Sequence, residues 1–164
     1  MNHYAMSKLA MEYMSATFAE RLPLVIVRPF NYTGVGHDAR FAIPKLVEHV
    51  VQRAASIELG NLNVEREFND VRTVCEAYLR LLQLGQPGQT YNVCSGRPVS
   101  LTSVIDALKH ITGHDLQVKV NPAFVRANEV HRLCGSPAKL EACIGPLQHP
   151  PLEETLRWML SASA

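Results

Sequence analysis

Leu24-Val25-Ile26-Val27 is an unbroken apolar run rich in β-branched residues, stopped by Arg28-Pro29. Such a run reads as a strand buried on both faces, as in a parallel sheet covered by helices. Upstream, Ala5 to Glu20 predicts a helix: Leu9, Met11, Met14, Ala16 and Phe18 give it broad apolar cover, and nothing interrupts it before Pro23. Downstream, a loop passes through Gly34 and Gly36. Pro44 then suits the first turn of a helix with Leu46, Val47, Val50 and Val51 on one face. Ile57 to Gly60 predicts a brief strand. Asp70 is placed to cap a helix through Leu84, with Gly85 just past its end. Thr90 to Cys94 predicts a strand closed by Ser95-Gly96. Ser100 caps a helix whose apolar face is Val104, Ile105, Leu108 and Ile111, ending at Gly113. Leu116 to Val120 alternates as a half-exposed strand does. Ser136-Pro137 opens a short helix reaching about Cys143, and Pro150-Pro151 precedes a last helix from Leu152 to Leu160. Helices and strands alternate, so the expected architecture is α/β.

The 164 residues suffice for one domain, and 47% apolar with 19% charged residues is an ordinary globular balance. With a net charge of +1 and no basic block, nothing matches a nucleic-acid backbone. No apolar run is long enough for a membrane span, and Met1-Asn2-His3-Tyr4 does not open a secretory signal. Cys75, Cys94, Cys134 and Cys143 form no CxxC pair and read as reduced, inert thiols of a cytoplasmic protein. The seven histidines are scattered, and no metal site is expected. Ser7 lacks the surroundings of a nucleophile elbow, and Trp158 reads as a packing residue.

Chemistry enters at Tyr4-Ala5-Met6-Ser7-Lys8. Positions four apart share a helix face, so a phenol and an ammonium stand together. A free tyrosine ionises near pH ~10, and a nearby cation favours the phenolate. Such a pair can pass a proton to or from a sugar oxygen while hydride moves at the adjacent carbon. The alternative is a surface Tyr–Lys pair. A complete dinucleotide-binding fold also needs a GxGxxG turn between strand and helix. Gly34-Val35-Gly36 has no third glycine at that spacing and sits between Pro29 and Pro44.

Tyr4 to Glu12 is similar to the YxxSKxxxE helix of the extended short-chain dehydrogenases/reductases, the NAD-dependent epimerase/dehydratase family. Val27-Arg28-Pro29-Phe30-Asn31-Tyr32-Thr33-Gly34 resembles the strand and loop that follow that helix. Gly60-Asn61-Leu62 with Arg66-Glu67-Phe68-Asn69-Asp70-Val71 resembles GNL…RDFxDVRD, with Glu67 where relatives usually carry Asp. Tyr91 to Gly96 resembles the YNVGSG turn, and Pro151 to Leu156 the closing helix. Arg28 to Gly34, Ser95 to Ser100 and Arg126-Ala127-Asn128-Glu129-Val130 are most similar to enzymes of GDP-mannose conversion. The resemblance implies the C-terminal part of a Rossmann-like extended fold, parallel strands plus a small substrate-binding subdomain. Residues 1–164 would be its catalytic and substrate-binding portion, with the glycine-rich cofactor half absent and the isolated portion inactive.

The implied activity is NADP(H)-dependent reduction of the 4-keto group of GDP-4-keto-6-deoxy-D-mannose, with NAD(H) open as cofactor. GDP-mannose 4,6-dehydration, or another NDP-sugar epimerase or dehydratase activity, is the runner-up, and a non-catalytic nucleotide-sugar-binding remnant is a further alternative. Tyr4 would give the proton and Lys8 hold the nicotinamide ribose. Pro29, Phe30 and Asn31 would line the cofactor, with Asn31 also reaching the substrate unless it only serves a turn. Lys45, Asn61, Arg66, Arg126 and Glu129 would bind the GDP-sugar. Lys45 has a solvated alternative, Arg66 an ion pair with Asp70 or Glu67, and Arg126 and Glu129 a plain surface role. The resemblance also implies a homodimer through the helix at 4–20, though core burial would explain its apolar cover equally well.

Overall fold

A computed structural model describes residues 3–125 and 129–163. In chain order the elements are α1 (His3–Ala16), β1 (Ile26–Pro29), β2 (Tyr32–Thr33), α2 (Ala42–Val51), β3 (Ser56–Leu59), β4 (Glu65–Arg66), β5 (Asn69–Asp70) and α3 (Val71–Leu84). They continue with β6 (Thr90–Val93), β7 (Val99–Ser100), α4 (Leu101–Thr112), β8 (Gln117–Val120), a 3-10 turn (Pro122–Phe124), β9 (Arg132–Leu133), α5 (Ala138–Ile144) and α6 (Leu152–Ala162). Parallel pairing dominates: β1 runs beside β6, β2 beside β5, and β3 beside β8. β4 lies between β7, antiparallel, and β9, parallel.

Two apolar clusters hold the elements. Leu46 and Val50 of α2, Ile57 of β3, Val104 and Leu108 of α4, and Leu156 of α6 centre one. Val74, Ala77 and Leu81 of α3 meet Tyr91 and Val93 of β6 and Leu140 of α5 in the other. The second cluster backs the β1–β6 pair, and the first packs α2, α4 and α6 against β3.

Local sequence accounts for most boundaries. Asp70 accepts from Arg72 N and caps α3. Ser100 does the same for α4 through Ser103 N, and Gly113 ends that helix at φ 64°, where a side chain would be strained. Two expectations shift. α1 stops at Ala16 rather than Glu20 because the Ser15 and Thr17 hydroxyls bond back to Glu12 and Met14 carbonyls, and the chain tightens into turns. β1 starts at Ile26 rather than Leu24, because Leu24 is spent in turns with Leu22 and Gly88. It is half-buried to exposed rather than buried, since β6 is its one partner strand among the described residues.

No residue of α1 is buried. Its apolar cover is exposed, Met6, Leu9, Met11, Met14 and Phe18 included, so core burial within this chain does not explain it.

Asp70 also joins α3 to α6. Thr155 Oγ1 donates to its Oδ2 at 2.6 Å, and Arg72 forks onto both carboxylate oxygens while lying over the Trp158 ring. Burial works to raise the Asp70 pKa, but hydrogen bonds from the Arg72 side chain, Thr155 and Arg72 N outweigh it and hold the carboxyl below the usual range. Asp70→Ala is expected to cost about 3 kcal/mol near neutral pH: about 1 for the cap and about 1 for each lost buried partner. A depressed folded value means the contribution is complete above the ordinary aspartate pKa and fades as pH falls through the folded one. Urea titrations at pH 7 and in acid therefore show the gap to wild type narrowing on acidification.

Candidate active site and nucleotide-sugar cleft

Tyr4 and Lys8 sit one turn apart on α1, with Lys8 Nζ 5.6 Å from the centroid of the Tyr4 ring. Both are exposed, Tyr4 at 71%. The helix is tied to the sheet by Glu12 and Arg28 of β1: Nε donates to Oε1 at 2.8 Å and Nη2 to Oε2 at 2.5 Å. The Arg28 hydrogen bond holds the Glu12 carboxyl below the usual range, and Glu12 raises Arg28 in turn.

Beyond β1 the chain is pinned at two points. Phe30 N donates to Val93 O at 2.9 Å, which extends the β1–β6 ladder by one bond. Asn31 O accepts both from Asn69 N at 2.9 Å and from Asn69 Nδ2 at 3.0 Å. The main chain of Pro29, Phe30 and Asn31 is thereby held while Asn31 stays exposed. Asn69 is 4% exposed, and its Oδ1 has no hydrogen-bond partner among the described residues.

Arg66 and Glu129 meet at 3.7 Å, both largely covered. Arg66 Nη1 also donates to Glu65 O at 2.8 Å and His131 O at 3.1 Å. The ion pair weighed for Arg66 is thus made with Glu129, neither with Asp70 nor with Glu67, because β9 beside β4 brings that segment within reach. Arg126 lies outside the described residues. Lys45 Nζ donates to Glu58 O at 2.9 Å and stands over the Phe124 ring. Asn61 spends its Oδ1 on Asn63 N, an Asx turn. The structure therefore pairs Tyr4 with Lys8 and Arg66 with Glu129, and leaves Lys45 and Asn61 on separate backbone contacts.

Glu67, an expected partner for Arg66 that stands where relatives usually carry Asp, is instead a buried hub, 1% exposed. Its Oε2 accepts from Ser95 N, Ser95 Oγ and Gly96 N, and its Oε1 from Gly135 N at 2.6 Å. Gly135 packs so closely that a Cβ there would stand 2.7 Å from both the Phe30 ring and Cys94 Sγ. One carboxylate thus holds the Ser95–Gly96 turn and the Gly135 segment beside Phe30. Its donors come from 28 and 68 residues away, so no local spacing marks it.

Burial, with the Glu67 charge next, pushes the Cys94 thiol up to about 11, which leaves it protonated near neutral pH. His110 and His114 stand four residues apart, a spacing that would suit a metal on one continuous helix, contrary to the expectation that the histidines form no such pair. Gly113 ends α4 between them, and His114 Nε2 turns to Ala54 O at 2.9 Å. Among the described residues no cluster could hold a metal, and no helix is long and apolar enough to cross a membrane. A cleft of ≈ 460 Å³, lined among others by Gly34, His37, Val47 and Met159, includes none of the expected site residues.

The family model for GDP-mannose 4,6 dehydratase matches residues 1–159. The chain is 35% identical over 144 residues to GDP-6-deoxy-D-talose 4-dehydrogenase of Aggregatibacter actinomycetemcomitans, covering 88% of this chain and 49% of that protein. It is also 35% identical over 167 residues to GDP-6-deoxy-D-mannose reductase of Pseudomonas aeruginosa, covering 98% of this chain and 55% of that one. The solved structure of RMD from Pseudomonas aeruginosa complexed with NADPH superposes with a TM-score of 0.90 at 33% identity, over 99% of this chain and 56% of that chain. The chain spans about half the length of the curated relatives it matches. With its motifs in series and its parallel strands, the chain belongs to the GDP-mannose 4,6-dehydratase family and has the Rossmann-like fold of the extended short-chain dehydrogenases/reductases.

Proposed function

We propose that this chain is the C-terminal catalytic and substrate-binding portion of an NADP(H)-dependent oxidoreductase that reduces the 4-keto group of GDP-4-keto-6-deoxy-D-mannose. The observation that carries the reading is the ammonium of Lys8 over the ring of Tyr4, on an exposed helix face braced to β1. A reduced nicotinamide, which Lys8, Pro29, Phe30 and Asn31 would hold, would supply the hydride for C4. The Tyr4 phenol gives its proton to the C4 oxygen, so the ketone becomes a secondary alcohol. Lys8 stabilises the phenolate that is left. The donors present suit a nicotinamide ribose: Lys8 makes no ion pair with any described residue, so its N–H groups are available to hydroxyl oxygens.

Arg66, held by the Glu65 and His131 carbonyls and by Glu129, offers a guanidinium to the diphosphate, with Glu129 beside it for the guanosine end. Asn31 projects from a pinned main chain towards the sugar. Lys45, Asn61 and Arg126 complete the nucleotide contacts. The exposed apolar face of α1 is assigned to a homodimer contact, and the free cysteines suit the cytoplasm. Hydride chemistry also requires a glycine-rich cofactor segment, so residues 1–164 alone are expected to be inactive.

The test is NADPH oxidation by the complete gene product with GDP-4-keto-6-deoxy-D-mannose, followed by product analysis. Formation of the D-manno alcohol supports the proposal. The 6-deoxy-D-talose epimer, conversion of GDP-mannose itself, or GDP binding without turnover would each replace it. Arg66→Met is expected to raise KM for the GDP-sugar by roughly tenfold with little change in kcat, since a phosphate contact is equal in ground and transition states.

A further inference from the structure

Three ionisable side chains of α1 lie four residues apart: Tyr4, Lys8 and Glu12. They share one helix face, with Lys8 in the middle, a single turn from each neighbour. An ammonium one turn from a carboxylate can pair with it, although the order with lysine ahead of glutamate is the weaker of the two. A Lys8–Glu12 pair would draw the cation away from Tyr4.

That pair is not made. Both oxygens of Glu12 are taken by Arg28, whose planar guanidinium reaches across from β1 with two near-parallel bonds of 2.8 and 2.5 Å. Forked, charge-assisted pairing is stronger than the single contact an ammonium offers, so Arg28 wins the competition. Glu12 is well covered where it is gripped, at 19%, while Arg28 remains 54% exposed. Lys8 is left over the Tyr4 ring. The ionisable groups along this face are His3, Tyr4, Lys8 and Glu12 of α1 and Arg28 of β1.

We infer that Arg28 is a positioning residue that acts by occupation: it takes the Glu12 carboxylate and so keeps Lys8 free to serve Tyr4. The inference rests on the Tyr4–Lys8 reading proposed above. It differs from a simple brace, because removing Glu12 as well should undo the damage of removing Arg28.

Arg28→Met in the complete gene product keeps an apolar stem and loses the fork. Its crystal structure is expected to show Lys8 Nζ within about 4 Å of the Glu12 carboxylate and displaced from the Tyr4 ring. At neutral pH, kcat is expected to fall about tenfold with KM within about twofold. Glu12→Gln/Arg28→Met leaves no carboxylate to capture Lys8. It is expected to recover kcat to within about threefold of wild type. Thermal melts confirm that each variant is folded. The inference is overturned if Lys8 stays over Tyr4 in Arg28→Met, or if the double variant is as slow as the single one, which would make Arg28 only a brace. The crystallographic arm needs no turnover, so a wild type inactive on the proposed substrate would defeat the proposed function and still leave the Lys8 movement to be read.

Discussion

Tyr4→Phe is expected to lower kcat of the complete gene product by about a thousandfold while KM for the sugar nucleotide stays within about threefold. The substitution removes one oxygen and keeps the ring over which Lys8 rests. The side chains proposed to bind substrate, Asn31, Arg66 and Glu129, lie outside α1, so ground-state binding has little reason to change. The transition state loses its proton donor, and a phenyl ring offers no substitute. Stability should be untouched, because Tyr4 is 71% exposed and its hydroxyl has no hydrogen-bond partner among the described residues. Steady-state kinetics and a melting curve on the same preparation separate the two. A loss smaller than tenfold in kcat would remove Tyr4 from the chemistry.

Glu67→Ala should have the largest effect on stability, about 4 kcal/mol or more, out of the roughly 5–15 kcal/mol that a domain of this kind has. Three backbone N–H groups and one hydroxyl aim at this buried carboxylate from two loops, and each would lose its acceptor in a half-buried setting. Glu67→Gln keeps the shape but turns an amide NH2 towards donors, so it should cost nearly as much. Glu67→Asp keeps the charge on a shorter arm. It is expected to satisfy one loop and strain the other, with an intermediate loss. Equilibrium urea unfolding orders the three variants. A near-neutral Glu67→Gln would show that the hub is not charge-dependent. Since Gly135 is held against Phe30 by this carboxylate, the variants that fold should also bind the reduced nicotinamide more weakly.

Local features were legible where one segment settled its own structure. Asp70, Ser100 and Gly113 mark the ends of α3 and α4 because capping involves residues only two or three positions apart. Leu46, Val47 and Val50 of α2 and Val104 and Leu108 of α4 are buried as their spacing predicts, while Val51, Ile105 and Ile111 are only partly buried against the same cluster. Pairs of residues such as Tyr32–Thr33, Glu65–Arg66 and Arg132–Leu133 are too short to leave a period, and they became strands only through partners elsewhere in the chain.

The amino-acid order alone settled the fold class, the helix carrying Tyr4 and Lys8 on one face, and the family, because these depend on neighbours within a few turns or on motifs in series. Tertiary contact settled who holds whom: Arg66 with Glu129, Glu12 with Arg28, and Glu67 with two distant loops. A charged side chain has many partners of equal merit along a chain. Which one it takes follows from the distance that packing imposes, since ionic and hydrogen-bond energies fall away within a few ångströms.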